Sequence, residues 1–196
     1  MIPHINVEEI DNLRSHRWFA LRVKSHCEKT VAAVIRHKGF EEFLPFYQCR
    51  HRWSDRLKSV EVPLFPGYVF CRMDPKVRLT VLTIPGAVQF VGIGKTPAPI
   101  EDAEIAVLQT AVHSGLATEP WAYRDVGQWV RLNAGPLAGL EGLLIEVRNQ
   151  YKIIVSVTLL RRSVAVGIDR RWVTPLGVKK HPFVTATTGE REASQP

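Results

Sequence analysis

Pro63-Leu64-Phe65-Pro66-Gly67-Tyr68-Val69-Phe70 encloses a turn signal between aromatic residues. Pro66 holds its φ near roughly −65° and Gly67 admits a left-handed backbone, so the chain reverses tightly between Phe65 and Tyr68. In the strand that follows, side chains alternate, which puts Tyr68 and Phe70 on one side and directs at least one of them to a core. The same reversal can leave Phe65 at the surface. Surface anchor and plain core packing both remain open for Phe65 and Phe70.

The residues around this stretch alternate strand and helix. Residues 18–23, Trp-Phe-Ala-Leu-Arg-Val, read as a buried strand. Residues 27–38 read as a helix, with Cys27, Val31, Val34 and Ile35 at helical spacing and Gly39 as its stop after Arg36-His37-Lys38. Residues 43–49 read as a strand, 50–61 as a polar, basic and irregular loop, and 68–73 as a strand. A short helix at 76–84, a strand at 88–91 and an extended segment at 97–100 lead to a clear helix at 101–114. That helix has acidic residues at its start and Ile105, Leu108 and Val112 on one face. Strands interrupted by such helices fit a compact α/β sandwich.

After residue 117 the pattern changes. Residues 118–124 hold Pro120 and Trp121 without periodicity and read as a linker. Five short strands are then expected at 129–132, 142–147, 153–159, 163–168 and 172–173, with turn signals between them, which indicates a small β-barrel. The expected organisation is an extension at 1–17, a first domain at 18–116, a linker at 117–125, a barrel at 126–177 and a tail at 178–196.

Composition narrows the function. No apolar run of membrane-spanning length is present, the N-terminus lacks a signal-peptide core, and three dispersed cysteines suggest a reducing compartment, so a cytoplasmic monomer is expected. Net charge is +7. Both halves contribute: residues 18–116 carry 13 Lys/Arg against 9 Asp/Glu, and residues 121–180 carry 10 against 4. Such a balance favours partners bearing phosphate or acidic surfaces. No paired carboxylates, nucleophile-base set, phosphate loop or Cys-x-x-Cys spacing occurs, so neither an enzyme nor a metal or cofactor is expected.

Two segments carry a family resemblance. Residues 63–70, with the Trp18-Phe19 strand before them and Ile84-Pro85-Gly86-Ala87-Val88-Gln89-Phe90-Val91-Gly92 after them, closely resemble the N-terminal domain of the NusG family. Residues 126–132 with Gly135-Pro136-Leu137-Ala138-Gly139-Leu140-Glu141-Gly142 resemble a KOW motif. The resemblance spans about residues 18–176 and implies an α+β fold. An N-terminal NusG-type α/β sandwich, a relative of the ferredoxin-like fold, would precede a C-terminal SH3-like KOW β-barrel. Leu64-Phe65-Pro66 followed by Met73-Asp74-Pro75 is similar to the specialised RfaH- and UpxY-like antiterminators. Arg22 departs from that branch at a first-strand tyrosine, and Leu79-Thr80-Val81 keeps only Thr80 of its His-Thr-Thr motif.

What the resemblance implies is a factor that docks on the clamp helices of the largest RNA polymerase subunit and suppresses pausing or termination. Trp18, Phe19, Phe65, Tyr68, Phe70 and Thr80 would serve that contact. Lys24, Arg36, His37 and Lys38 would approach non-template DNA, although a solvated helix end explains the last three equally well. Leu137 and Leu140 would meet Rho or a small-subunit ribosomal protein. Arg161-Arg162 and Asp169-Arg170-Arg171 read as solvated turns; the loop Arg50 to Lys58 reads as a mobile surface hairpin tip or, alternatively, as a basic segment whose Trp53 could stack on an unpaired base. A housekeeping NusG acting with Rho on most transcripts is the nearest alternative. A KOW-type RNA- or ribosome-binding protein is the alternative from another class.

Overall fold

The computed structural model describes residues 16–53, 56–94, 96–121, 128–147 and 149–177. In the first half, β1 (Arg17–Val23), β2 (Glu41–Phe43), β5 (Tyr68–Met73) and β6 (Ala87–Phe90) form an antiparallel sheet in the order β2-β5-β1-β6. Alternation along β1 and β5 divides its faces. Phe19, Leu21, Val23, Val69, Cys71 and Met73 pack with Val31, Ala32 and Ile35 of helix α1 (Glu28–His37) and with Val81 of the short helix α2 (Arg78–Leu82). Trp18, Ala20 and Phe70 pack on the opposite side with Ile105, Leu108 and Ala111 of α3 (Asp102–His113). The sheet is therefore sandwiched between helices, as two-sided apolar alternation requires.

Between β2 and β5, the segment read as a strand and an irregular loop is instead one long hairpin. Strands β3 (Phe46–Trp53) and β4 (Arg56–Pro63) pair from Phe46↔Pro63 to Trp53↔Arg56. Its residues lack apolar alternation, so period-two reading misses its length and its second strand, although a tip near Trp53 is among the expectations. Residues 54 and 55 of the tip, the 1–15 extension, residues 122–125 of the linker and the 178–196 tail lie outside the described residues. The two-residue strands β7 (Gly92–Ile93) and β8 (Thr96–Pro97) make a small separate ribbon.

The second half is a six-stranded antiparallel sheet. Strands β10 (Gln128–Leu132), β11 (Glu141–Val147), β12 (Gln150–Val157), β13 (Arg162–Ile168) and β14 (Val173–Gly177) match the five expected positions closely, except that Trp172 ends a 3-10 turn. The sixth strand corrects the sequence reading. Residues 118–121, expected as linker, form β9 (Thr118–Trp121) and pair with β13. The order is β14-β10-β11-β12-β13-β9, so among the described residues pairing does not close the ladder, and the linker strand covers the β13 edge.

Gly142 shows why a glycine is required at the start of β11. A Cβ there would stand 2.7 Å from Cγ1 of Ile153 and 2.9 Å from the carbonyl oxygen of Ile154, and backbone cannot move aside cheaply. Gly142→Ala is expected to destabilise the protein by about 1–3 kcal/mol, the usual range for overpacking, as read by chemical denaturation. An unchanged midpoint would refute this close approach.

Candidate functional site

The bend at Pro66-Gly67 is held from three sides. Gly67 has φ +81°, the left-handed conformation expected from its sequence. Its carbonyl accepts the Val23 N–H at 2.9 Å, and Tyr68 N–H donates to Phe65 O at 3.1 Å. Gly67 N–H donates to Oε1 of Glu28 at 2.9 Å. Glu28 is only 7% exposed in the first turn of α1, so a buried carboxylate meets a specific backbone donor.

Beside the bend the aromatics stack as one unit. The Phe65 ring meets Phe70 edge-on at 5.3 Å between centroids, and Phe43 stacks on Phe70 at 6.0 Å. Phe65 is 1% exposed and Phe70 fully buried. Of the two readings left open by the sequence, the structure shows core packing for both Phe65 and Phe70. The physical reason is a core that does not stop at the first half. One contiguous apolar cluster joins Trp18, Phe65, Phe70 and the α3 face to Val130, Leu132, Ile153, Val155, Val157, Val164 and Val166 of the second sheet.

Polar contacts bridge the two halves. Arg162 on β13 reaches over the bend, with its guanidinium 5.0 Å from the Tyr68 ring centroid and Nη1 donating to Pro66 O at 3.5 Å. Thr158 N–H donates to Oε1 of Glu104 on α3 at 3.3 Å. A cleft between α3 and the second sheet is lined by Ala103, Glu104 and Val107 on one side and Trp129, Leu143 and Ser156 on the other. Arg162, read from sequence as part of a solvated turn, is thus a contact residue. No local signal reveals this, since Tyr68 lies 94 positions earlier in the chain.

The remaining candidates separate. Trp18, Phe65, Phe70 and half-buried Tyr68 share one face. Phe19 does not: it points to the α1 side and packs edge-on against Phe90. Thr80 is exposed on α2, next to Leu79 at 66% exposure. Arg22 stands opposite Tyr68 in the ladder and is exposed. Lys24, His37 and Lys38 are exposed, but Lys24 precedes α1 while the others end it, about 15 Å away along a ten-residue helix. Arg36 is engaged by Glu42. The four cations therefore do not form one cluster. Leu137 is 1% exposed and belongs to the shared core, which corrects its assignment as a partner contact; Leu140 is half-buried beside it.

The family model described as "Transcription termination factor nusG" matches residues 16–109. The "Transcription termination/antitermination protein NusG" of Vibrio vulnificus is 30% identical over 168 residues, which is 78% of this chain and 92% of the relative. The protein of the same name from Buchnera aphidicola is 30% identical over 173 residues, covering 80% and 94%. This chain belongs to the NusG family. A solved structure titled "Domain interaction in Thermotoga maritima NusG" is similar in fold, with a TM-score of 0.50 at 21% identity over 83% of this chain and 98% of that one.

NusG-family membership makes this chain a transcription factor and not an enzyme. Among the described residues, no group of His, Cys, Asp or Glu could hold a metal ion and no helix is long and apolar enough to cross a membrane. Burial, aided by the nearby Glu42 charge, pushes the Cys71 thiol up to about 12, so it stays protonated and inert at neutral pH. In native protein at pH 8, iodoacetamide is expected to spare Cys71 and to modify it only after unfolding. Rapid native alkylation, read by peptide mass spectrometry, would contradict that burial. Phe65→Ala is expected to lower folding stability by about 3–5 kcal/mol, as truncation of a buried aromatic does, measured by urea denaturation; a loss below about 1 kcal/mol would refute the shared core.

Proposed function

We propose that this NusG-family chain is a cytoplasmic elongation and antitermination factor that docks its Phe65–Phe70 face on the clamp helices of RNA polymerase once the second sheet has moved aside. The supporting observation is the apolar cluster that runs from that face into the second sheet. Such a face, when uncovered, needs another apolar surface to occupy it, and a coiled coil of polymerase supplies one. Trp18, Phe65, Tyr68 and Phe70 are the anchors in this reading, with Phe19 acting beneath the sheet and Thr80 at a separate exposed position. Lys24 and the exposed His37-Lys38 end of α1 would neutralise non-template DNA phosphates, each contact adding a little under one unit to the salt slope. Leu140 remains the candidate contact for Rho or a small-subunit ribosomal protein.

A covered docking face favours a factor recruited to particular operons over one serving every transcript, because binding then requires an opening event. Arg162→Glu removes a contact worth about 1 kcal/mol that holds the closed arrangement, and should raise the open fraction about fivefold. The variant is expected to bind a purified clamp-helix fragment correspondingly tighter in isothermal titration. Equal or weaker binding with an unchanged fold would reject the proposal. Chromatin mapping separates the two modes of use: occupancy of a few long operons supports the specialist, and occupancy of all transcribed units supports the generalist.

A further inference from the structure

The β13 strand is paired unequally on its two sides. On one side β13 pairs with β12 from Tyr151↔Ile168 to Val157↔Arg162, a full-length ladder. On the other, among the described residues, it meets only β9, from Ser163↔Trp121 to Val166↔Thr118, with Gly167 N–H donating to Ala117 O at 2.8 Å beyond it. Strand β9 is a weak occupant. It has four residues, none of them buried, and Pro120 contributes no N–H to the ladder.

What flanks that edge is specific. The Lys152 side chain on β12 is 14% exposed, and its ammonium pairs with the Glu119 carboxylate. The same ammonium lies 5.4 Å from the centroid of the Trp121 ring. Loss of β9 would leave a largely buried cation without its counter-charge. The Trp121 indole N–H is itself buried without an acceptor among the described residues, so the resident strand fills its place imperfectly.

We propose that the β13 edge is a strand-docking site for an extended segment of a protein partner, and that β9 is the stand-in the chain supplies for itself. The segment adds a strand through main-chain hydrogen bonds, as in β-augmentation. Its recognition elements are a carboxylate facing Lys152 and a bulky aromatic two residues later. Because β9 follows α3 after only four residues, displacing it also loosens the tether between that helix and the second sheet. That consequence rests on the polymerase reading above; the docking site rests on the pairing alone.

The test uses the full chain carrying Glu119→Lys and Trp121→Ala, which disables β9, and a fluorescein-labelled peptide of residues 115–124. Fluorescence anisotropy is expected to show the variant binding this peptide at least tenfold tighter than the parental chain. A peptide with lysine in place of the glutamate should lose at least tenfold, and hydrogen exchange should show new protection across residues 162–168. No binding by a folded variant, binding indifferent to the glutamate, or protection elsewhere would overturn the site. Should that variant fail to fold, full-length Lys152→Glu is used instead; preference for the lysine peptide supports the site and preference for the glutamate peptide overturns it. A clamp-helix fragment is titrated into the same samples. Peptide binding without any clamp-helix binding leaves the docking site standing and removes the polymerase reading.

Discussion

The apolar continuity between the Phe65–Phe70 face and the second sheet governs the rest of the structure. Each large side chain sealed there contributes about 1.5–3 kcal/mol relative to exposure, so separating the halves without a partner exposes several such groups to water. Closure is also cheap in entropy, because both surfaces belong to one chain and meet at high effective concentration. The closed arrangement is thus expected as the resting one. A partner must supply comparable apolar contact to reverse it.

Polar details tune this balance without dominating it. Arg162 over Tyr68 and Glu104 at Thr158 N–H are single contacts at the rim of a large apolar area. They fix how the second sheet sits on the first half and add a smaller share to holding it there, which is the usual division between charged rim and apolar centre. Glu28 has a different task. Its bond to Gly67 N–H shapes the bend from within the first half, so the aromatics keep their relative positions whether covered or not.

Much of the fold was legible because its strands alternate over a two-sided sheet. Trp18 and Ala20 against Phe19 and Leu21 declare two opposed cores, and the structure fills both. Of the hairpin from Phe46 to Pro63, the start of the first strand and a tip near Trp53 were legible, but its length and second strand were not, since polar residues on both faces erase the period. Strand β9 was hidden for another reason: four residues including a proline carry no pattern, and only the β13 edge makes them a strand. Of the candidate site, sequence located the bend and its aromatics. It did not show that Phe65 is covered, that Phe19 faces the other core, or that Leu137 is sealed. Those outcomes depend on packing between residues far apart in sequence, which local periodicity does not encode.

Hydrogen exchange of the full chain with and without purified core RNA polymerase tests the central claim most directly. If the covered face is the docking face, polymerase will keep residues 63–70 protected while amides of β12 and β13 near α3 exchange faster than in the free protein. Polymerase binding that leaves both the bend and the second sheet with unchanged exchange would show that the two halves never part and that another surface makes the contact.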